Sequence, residues 1–284
     1  MIYEAKKFQS NYHKFKFSLD SIKDKRTLFV CSDIHFDNPK CNRKLFFQHL
    51  DQALERNAMI AITGDFFCFM QGRYDPRRSK SDIRPEHMAG NYIDLVINEA
   101  AEKMKKYAKN ILIISKGNHE TSVSLRLETD VMERFIERLN VISDSNIQLG
   151  AYTGYYTLSF ENHGRFKAID IGYSHGNWGG VITKGTLSVV RYAAMMPDSD
   201  IMFSGHTHDG WIVPQPRLKL NKFKGSVEIK NQWHVKTGTY KEEFVTGSGW
   251  AVERIAMPKY LGGCWVELDI TKNNDISFTL TLTH

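Results

Sequence analysis

The sequence predicts an α/β protein in which two packed β-sheets are flanked by helices. In the first half of the chain, short apolar runs alternate with longer helical patterns, and this order is typical of a parallel sheet covered by helices. The second half is richer in β-like runs. Because no stretch rich in Gly, Ser or Pro separates the halves, we expect one domain over residues 1–284, with a motif-bearing part at 27–210 and a β-rich part at 211–284.

Three strands and three helices are predicted in the first half. The strands are short runs of β-forming apolar residues at 27–32, 58–63 and 111–115. The helices have apolar residues at helical spacing and lie at 38–57, 91–110 and 130–139. Asn38 is expected to cap the first helix, with Pro39 at its first position, where a backbone N–H has no helical partner to lose.

The second half is predicted to be mostly β-structure. Two β-like runs, 155–160 and 166–174, flank the turn sequence ENHG and predict a hairpin. A helix is expected at 186–196, followed by a strand at 200–204. The basic segment 217–225, RLKLNKFKG, is interpreted as an exposed hairpin with lysines at its edge; the alternative is a surface that binds single-stranded nucleic acid.

Composition restricts the class of protein. Apolar residues make up 42% and charged residues 25% of the chain, as in ordinary globular proteins. No apolar run approaches the ~18 residues of a membrane-spanning helix, the N-terminus lacks the apolar core of a signal peptide, and the four cysteines form no disulfide pattern. We therefore expect a cytoplasmic protein with no membrane or protein partner. The net charge of +6 favours an anionic partner such as a nucleotide or nucleic acid.

Polar side chains follow the predicted strands at five places. They are Asp33 and His35, then Asp65, then Asn118, His119 and Glu120, then His175, and finally His206 and His208. In open α/β sheets, ligands bind at the edge where the carboxyl ends of the strands lie. In an extended segment, residues two apart point the same way, so each Asp/His or His/His doublet is expected to converge on one point.

These residue types indicate a metal site. Asp, His and Asn suit a borderline divalent ion such as Mn, Fe, Zn, Ni or Co. A carboxylate can bridge two such ions about 3.5–4 Å apart, an arrangement used for phosphoryl displacement. The alternative is a set of polar loop residues with separate structural roles.

At these residues the chain resembles the calcineurin-like metallophosphoesterases. The family motifs D-x-H, GD, GNH(D/E), H and GH-x-H occur here in the same order between residues 33 and 208. The chain is also similar to members from phage and bacterial genomes. The resemblance implies a four-layer αββα sandwich of two mixed sheets with flanking helices.

The resemblance also implies roles for the motif residues. One metal ion is held by Asp33, His35, Asp65 and His208, and the second by Asp65, Asn118, His175 and His206. Asp65 bridges the two ions, Mn being the expected metal, and a bridging hydroxide is the implied nucleophile. His119 is the implied catalytic histidine that assists the leaving oxygen, and Glu120 is expected to orient it.

Substrate recognition is assigned to the long segment after Asp65. Arg77 and Arg78 are predicted to bind a substrate phosphate through paired hydrogen bonds. The alternative is that these arginines belong to a solvated, salt-bridged loop. The favoured function is a phosphodiesterase acting on nucleic acid or a nucleotide. The alternatives are a phosphomonoesterase for small molecules or proteins, and a catalytically silent binding module.

The remaining histidines are not assigned to the metal site. We expect His13, His49, His163 and His284 at the surface, and His234 as a structural residue within a strand. His87 is left unassigned because it lies in the segment that follows Asp65.

Overall fold

A computed structural model describes residues 3–19, 24–69, 83–88, 90–177, 183–222, 225–244, 250–253, 255–270 and 276–283. In chain order, the strands are β1 (Glu4–Gln9), β2 (Tyr12–Ser18), β3 (Lys25–Cys31), β4 (Met59–Thr63), β5 (Ile111–Ser115), β6 (Gln148–Gly150), β7 (Thr153–Asn162), β8 (Arg165–Ser174), β9 (Ile201–Ser204), β10 (Gly210–Asn221), β11 (Ser226–Thr237), β12 (Cys264–Asp269) and β13 (Ser277–Leu282). The α-helices are α1 (Arg43–Glu55), α2 (Tyr92–Met104), α3 (Asn118–Leu127), α4 (Val131–Ser143), α5 (Ser188–Met195) and α6 (Trp250–Glu253).

The strands form two mixed sheets. The seven-stranded sheet has the order β1-β2-β7-β8-β9-β11-β10, and the six-stranded sheet has the order β13-β12-β3-β4-β5-β6. In the six-stranded sheet, β3, β4, β5 and β6 are parallel, so their carboxyl ends lie at one edge. In the seven-stranded sheet, β8 and β9 are parallel and also end together, with Ser174 opposite Ser204.

The sheets and helices stack in four layers. Leu28 and Val30 from the six-stranded sheet pack with Leu158 and Ile171 from the seven-stranded sheet in the core between them. Helices α1, α2 and α4 cover the outer face of the six-stranded sheet, and α5 packs on the outer face of the seven-stranded sheet through Tyr192. The predicted α/β fold of two mixed sheets with flanking helices is therefore confirmed. No helix among these described ranges is long and apolar enough to span a membrane.

Most predicted elements are present, but the first helix begins later than expected and several elements were not predicted. The first helix begins at Arg43, and its cap is Asn42, whose Oδ1 accepts a hydrogen bond from Leu45 N–H at 2.9 Å. The predicted cap, Asn38, instead closes a preceding turn by accepting from Lys40 N–H. Strands β1, β2 and β6 and helices α3 and α6 were not predicted from the sequence. The hairpin expected around residues 217–225 is formed by β10 and β11.

Two histidines expected at the surface are buried, so that prediction is wrong. His49 lies on the inward face of α1, where its Nδ1 is 2.8 Å from the Tyr240 hydroxyl. His13 is buried in β2, and burial together with Lys7 lowers its pKa to about 4. His163 is exposed as expected, and His234 is buried within β11. His284 lies outside the described residues.

Candidate metal centre

The motif residues meet where the two sheets end. Asp33 and Asp65 follow β3 and β4 of the six-stranded sheet, and Asn118 opens α3 after β5. From the seven-stranded sheet, His175 follows β8, and the 206–208 segment follows β9. Each sheet thus supplies part of one site, and all five predicted motifs contribute to it.

The first cluster contains Asp33, His35 and His208. The Nε2 atoms of His35 and His208 are 3.2 Å apart, and His208 Nε2 is 3.3 Å from Asp33 Oδ1. One candidate ligand atom from each of the three residues lies within 4.8 Å of the others. The carboxylate and two imidazoles therefore converge on a common point.

The second cluster contains Asp65, His175 and His206, with Asn118 beside them. His175 Nε2 lies 3.0 Å from Asp65 Oδ2 and 3.0 Å from Asn118 Oδ1. His206 Nδ1 approaches the same amide oxygen at 2.8 Å. The amide oxygen of Asn118 thus faces both imidazoles of this cluster.

The donor set fits divalent cations better than it fits protons. A single proton on His175 Nε2 cannot serve both the Asp65 and the Asn118 oxygens, which lie at equal distance. Likewise, the facing Nε2 atoms of His35 and His208 can share only one proton. A cation accepts all of these lone pairs at once, and carboxylate, imidazole and amide oxygen suit a borderline divalent metal.

Burial and mutual charge shift the ionisation of these groups. Burial raises the pKa of the Asp33 and Asp65 carboxyls, but the neighbouring histidines, with His175 the strongest, together outweigh it and hold both pKa values below the usual range. Burial lowers the pKa of His175, yet the two carboxylates raise it to about 9. Burial, followed by the charge of His119, places the pKa of His35 well below its ordinary value. Both carboxyls therefore favour the ionised form, which is the form that binds a cation.

The backbone at the site is strained. The residues Asp33, His35, Asp65, His206 and His208 all have left-handed φ angles, between 48° and 71°. Non-glycine residues seldom adopt this region, and such strain concentrates at functional sites. Backbone hydrogen bonds hold two of the turns together, from Asp33 N–H to the Gly64 carbonyl and from His35 N–H to the Asp65 carbonyl, each at 3.1 Å.

Gly117 is required because the chain at this position packs closely against Asp65. A Cβ atom at this position would lie 2.1 Å from Asp65 Oδ1, far inside van der Waals contact. The absence of a side chain lets α3 begin directly against the Asp65 carboxylate, which accepts a hydrogen bond from His119 N–H at 3.0 Å.

His119 is held in place by the loop that follows Asp65. Its Nδ1 lies 2.6 Å from the Cys68 carbonyl oxygen, which can only accept, so Nδ1 carries a proton. Its Nε2 points toward the second cluster, 3.9 Å from Asp65 Oδ2. Asp37 fixes the loop, because its carboxylate accepts from the N–H groups of Cys68 and Phe69 at 2.6 and 2.9 Å.

Glu120 is buried at the start of α3. Its carboxylate accepts hydrogen bonds from the N–H groups of Gly117 and Phe67, at 2.8 and 2.9 Å. The contact with the His119 ring comes from the Cys68 carbonyl. Glu120 thus links the start of α3 to the loop after Asp65, and its role in orienting His119 stays a prediction. Burial and the nearby Asp65 raise the pKa of Glu120 to about 8.

Replacing Glu120 with Ala is expected to lower the free energy of unfolding by about 3 kcal/mol, because two buried N–H groups lose their acceptor. Urea unfolding of the metal-free protein measures this. The control is Glu137→Ala, which removes an exposed carboxylate from α4. Equal stability of the two variants would contradict a tethering role for Glu120.

Two residues at the site were missed from the sequence. Lys236 in β11 is buried, its Nζ donates to the Gly205 carbonyl at 2.6 Å, and burial lowers its pKa to about 8. No local motif distinguishes it from an ordinary strand residue. Asp37 had a detectable signal, since it continues the alternation of Asp33 and His35. Arg77 and Arg78 lie outside the described residues, so their contact with substrate stays a prediction.

A family model described as calcineurin-like phosphoesterase matches residues 26–210, which is more than half of the chain. Two solved structures also align with the chain. One is GAP50, the anchor in the inner membrane complex of Plasmodium, with 13% identity, 92% of this chain and 85% of that chain covered, and a TM-score of 0.40. The other is a predicted phosphoesterase from Streptococcus pneumoniae TIGR4, with 12% identity, coverages of 91% and 99%, and a TM-score of 0.31. No curated protein matches the sequence.

Proposed function

Because this chain belongs to the calcineurin-like phosphoesterase family, and is therefore a metal-dependent hydrolase, we propose that it cleaves phosphodiesters of nucleic acids or nucleotides. The observation that most directly supports a two-metal phosphoesterase centre is the contact between the clusters. His175 Nε2 lies 3.0 Å from Asp65 Oδ2 and 3.9 Å from Asp33 Oδ1, so cations held by the two clusters would be neighbours. The net charge of +6 supports an anionic nucleotide or polymer as substrate.

In this proposal the site holds two ions. Asp33, His35, Asp65 and His208 bind the first, and Asp65, Asn118, His175 and His206 bind the second, with Asp65 shared. Mn²⁺ is the proposed metal, and Fe, Zn, Ni or Co have the same ligand preferences. When bound, the ions attract the phosphate and lower the pKa of the attacking water.

His119 is the proposed proton donor to the leaving oxygen. Because Nδ1 is committed to the Cys68 carbonyl, the proton that moves must be carried by Nε2. The His119 side chain is 12% exposed, so this nitrogen can reach a substrate in the site. Asp65 also accepts from the His119 backbone N–H, which fixes the histidine relative to the clusters.

We further propose a cytoplasmic location. All four cysteines are buried and unpaired, as is usual where the environment is reducing.

The decisive test is hydrolysis of bis-p-nitrophenyl phosphate beside p-nitrophenyl phosphate. We expect turnover of the diester with Mn²⁺, none with EDTA, and a loss of at least about 10²-fold in His208→Ala, because one cation loses an imidazole ligand. The rate of nitrophenolate release measures this. The control is His163→Ala, which removes an exposed histidine from the β7–β8 turn.

Other outcomes identify other functions. Preference for the monoester would indicate a phosphomonoesterase for small molecules or proteins. Metal binding without turnover of either ester would indicate a catalytically silent binding module.

A further inference from the structure

We propose that the cleft between α5 and the end of β8 is a nucleotide subsite, in which Arg191 binds a phosphate one nucleotide away from the phosphate at the metal centre. We call it the α5 cleft. It has a volume of about 600 Å³, and the residues that line it include Tyr152, Gly176, Leu187, Arg191, Tyr192 and Met195. This inference rests on the proposed function, since it assumes that a phosphate ester occupies the metal centre.

The α5 cleft opens directly beside the second cluster. Gly176, in its wall, is the residue after His175. The Tyr152 hydroxyl donates to the Gly176 carbonyl at 2.6 Å, and the Tyr152 ring meets the His175 imidazole edge-on, with centroids 5.6 Å apart. The wall of the cleft is therefore in direct contact with a residue of the second cluster, and the proposal places the group attached to the phosphate in this cleft.

One side of the cleft is formed by a single stripe of α5 and its N-cap. Leu187, Arg191 and Met195 are spaced four residues apart, so they share one helix face. Leu187 is 71% exposed and Met195 is 57% exposed. Large apolar side chains exposed at the rim of a concave site are typical of a ligand surface. Two exposed apolar side chains, Leu187 and Met195, thus flank the Arg191 guanidinium on this helix face.

Arg191 has no hydrogen bond or ion pair with any residue in the described part of the chain. Its side chain is exposed and lines the cleft. A guanidinium binds phosphate through paired N–H donors, so this arginine is suited to an anion carried by a ligand in the cleft.

A nucleotide matches these features together. Its base can pack on the exposed apolar side chains of Leu187 and Met195. Its two ester positions place one phosphate at the metal centre and a second at Arg191. The cleft volume lies in the range of small-molecule sites, which can hold a group of this size. A monoester without a second phosphate would leave the arginine unused.

The test is calorimetric titration of the Mn²⁺-loaded protein with thymidine 3′,5′-bisphosphate and with each thymidine monophosphate. We expect the bisphosphate to bind about tenfold more tightly than either monophosphate, the gain of one well-formed guanidinium–phosphate pair. In Arg191→Ala the three affinities should become equal, and Arg191→Lys should retain part of the difference. Leu187→Ser should weaken all three ligands without changing their ratio.

The matched control is Arg165→Ala. Arg165 is exposed and begins β8, nine residues of extended strand or about 30 Å from Ser174 at the site. It should keep the tenfold preference. A preference that survives in Arg191→Ala, or is lost equally in Arg165→Ala, would overturn the subsite. Turnover of bis-p-nitrophenyl phosphate is measured separately, so a missing activity with an intact preference would refute the proposed function and leave the subsite standing.

Discussion

Replacing Asp65 with Asn is expected to reduce phosphodiester turnover by at least about 10³-fold and to lower the metal content of the protein. One carboxylate oxygen of Asp65 faces His175 Nε2 at 3.0 Å, and the other accepts the His119 backbone N–H at 3.0 Å. Asn has the same size as Asp but lacks the negative charge that the two cations would share. We therefore expect a larger loss of activity than the 10–100-fold typical of replacing a residue that only hydrogen-bonds to a metal ligand. Turnover of bis-p-nitrophenyl phosphate and metal content by elemental analysis measure the two effects.

The control is Asp94→Asn, which removes a carboxylate from an exposed ion pair with Arg134 on the helical layer. It should keep wild-type turnover and metal content. An Asp65→Asn protein that binds as much Mn²⁺ as the wild type would show that the two clusters do not depend on a shared carboxylate.

The location of the site was predictable because strand ends can be recognised from the sequence. Apolar runs end at Cys31, Thr63 and Ser115, and parallel pairing aligns these ends in the structure. The polar residues that follow the strands therefore lie at one edge of the sheet, independent of the length and position of the connecting helices. The α/β fold class follows from the same short-range pattern.

The local geometry could not be predicted in the same way. Alternation along an extended segment was expected to bring each doublet together, but Asp33 and His35 both have left-handed φ angles, so this segment is not extended. His206 and His208 also have left-handed φ, and they lie in different clusters. The turns are held by contacts with segments distant in sequence, such as Asp33 accepting from His206 N–H at 3.0 Å. Such contacts have no local sequence signal.

Burial of polar side chains was the feature least predictable from the sequence. His49 occupies the same helix face as Phe46, Leu50 and Ala53, so its position in the apolar stripe was a usable signal that it points inward. His13 offered no comparable signal, because its strand was not predicted at all. Its burial comes from the parallel pairing of β2 with β7, more than a hundred residues away in the chain.

Replacing His119 with Ala is expected to reduce kcat by about 10²–10⁴-fold for esters with poor leaving groups, and much less for p-nitrophenyl esters. A proton donor matters most when the leaving oxygen is strongly basic, and p-nitrophenolate departs without a proton. The measurement is kcat/KM for a series of aryl phosphate diesters whose leaving groups differ in pKa. The plot of log(kcat/KM) against this pKa should be steeper for His119→Ala than for the wild type.

This slope distinguishes proton donation from metal binding. His119, His35 and Cys68 also bring candidate ligand atoms within 4.8 Å of one another, so His119 has a second conceivable role as a ligand. Loss of a ligand would lower the rates of all esters together and reduce the bound Mn²⁺, whereas loss of a proton donor changes the slope and leaves metal content intact. His163→Ala, in the exposed β7–β8 turn, should match the wild type in both. An unchanged slope with reduced metal content would transfer His119 from the proton-donor role to the ligand set, and the Cys68 carbonyl would then orient a ligand.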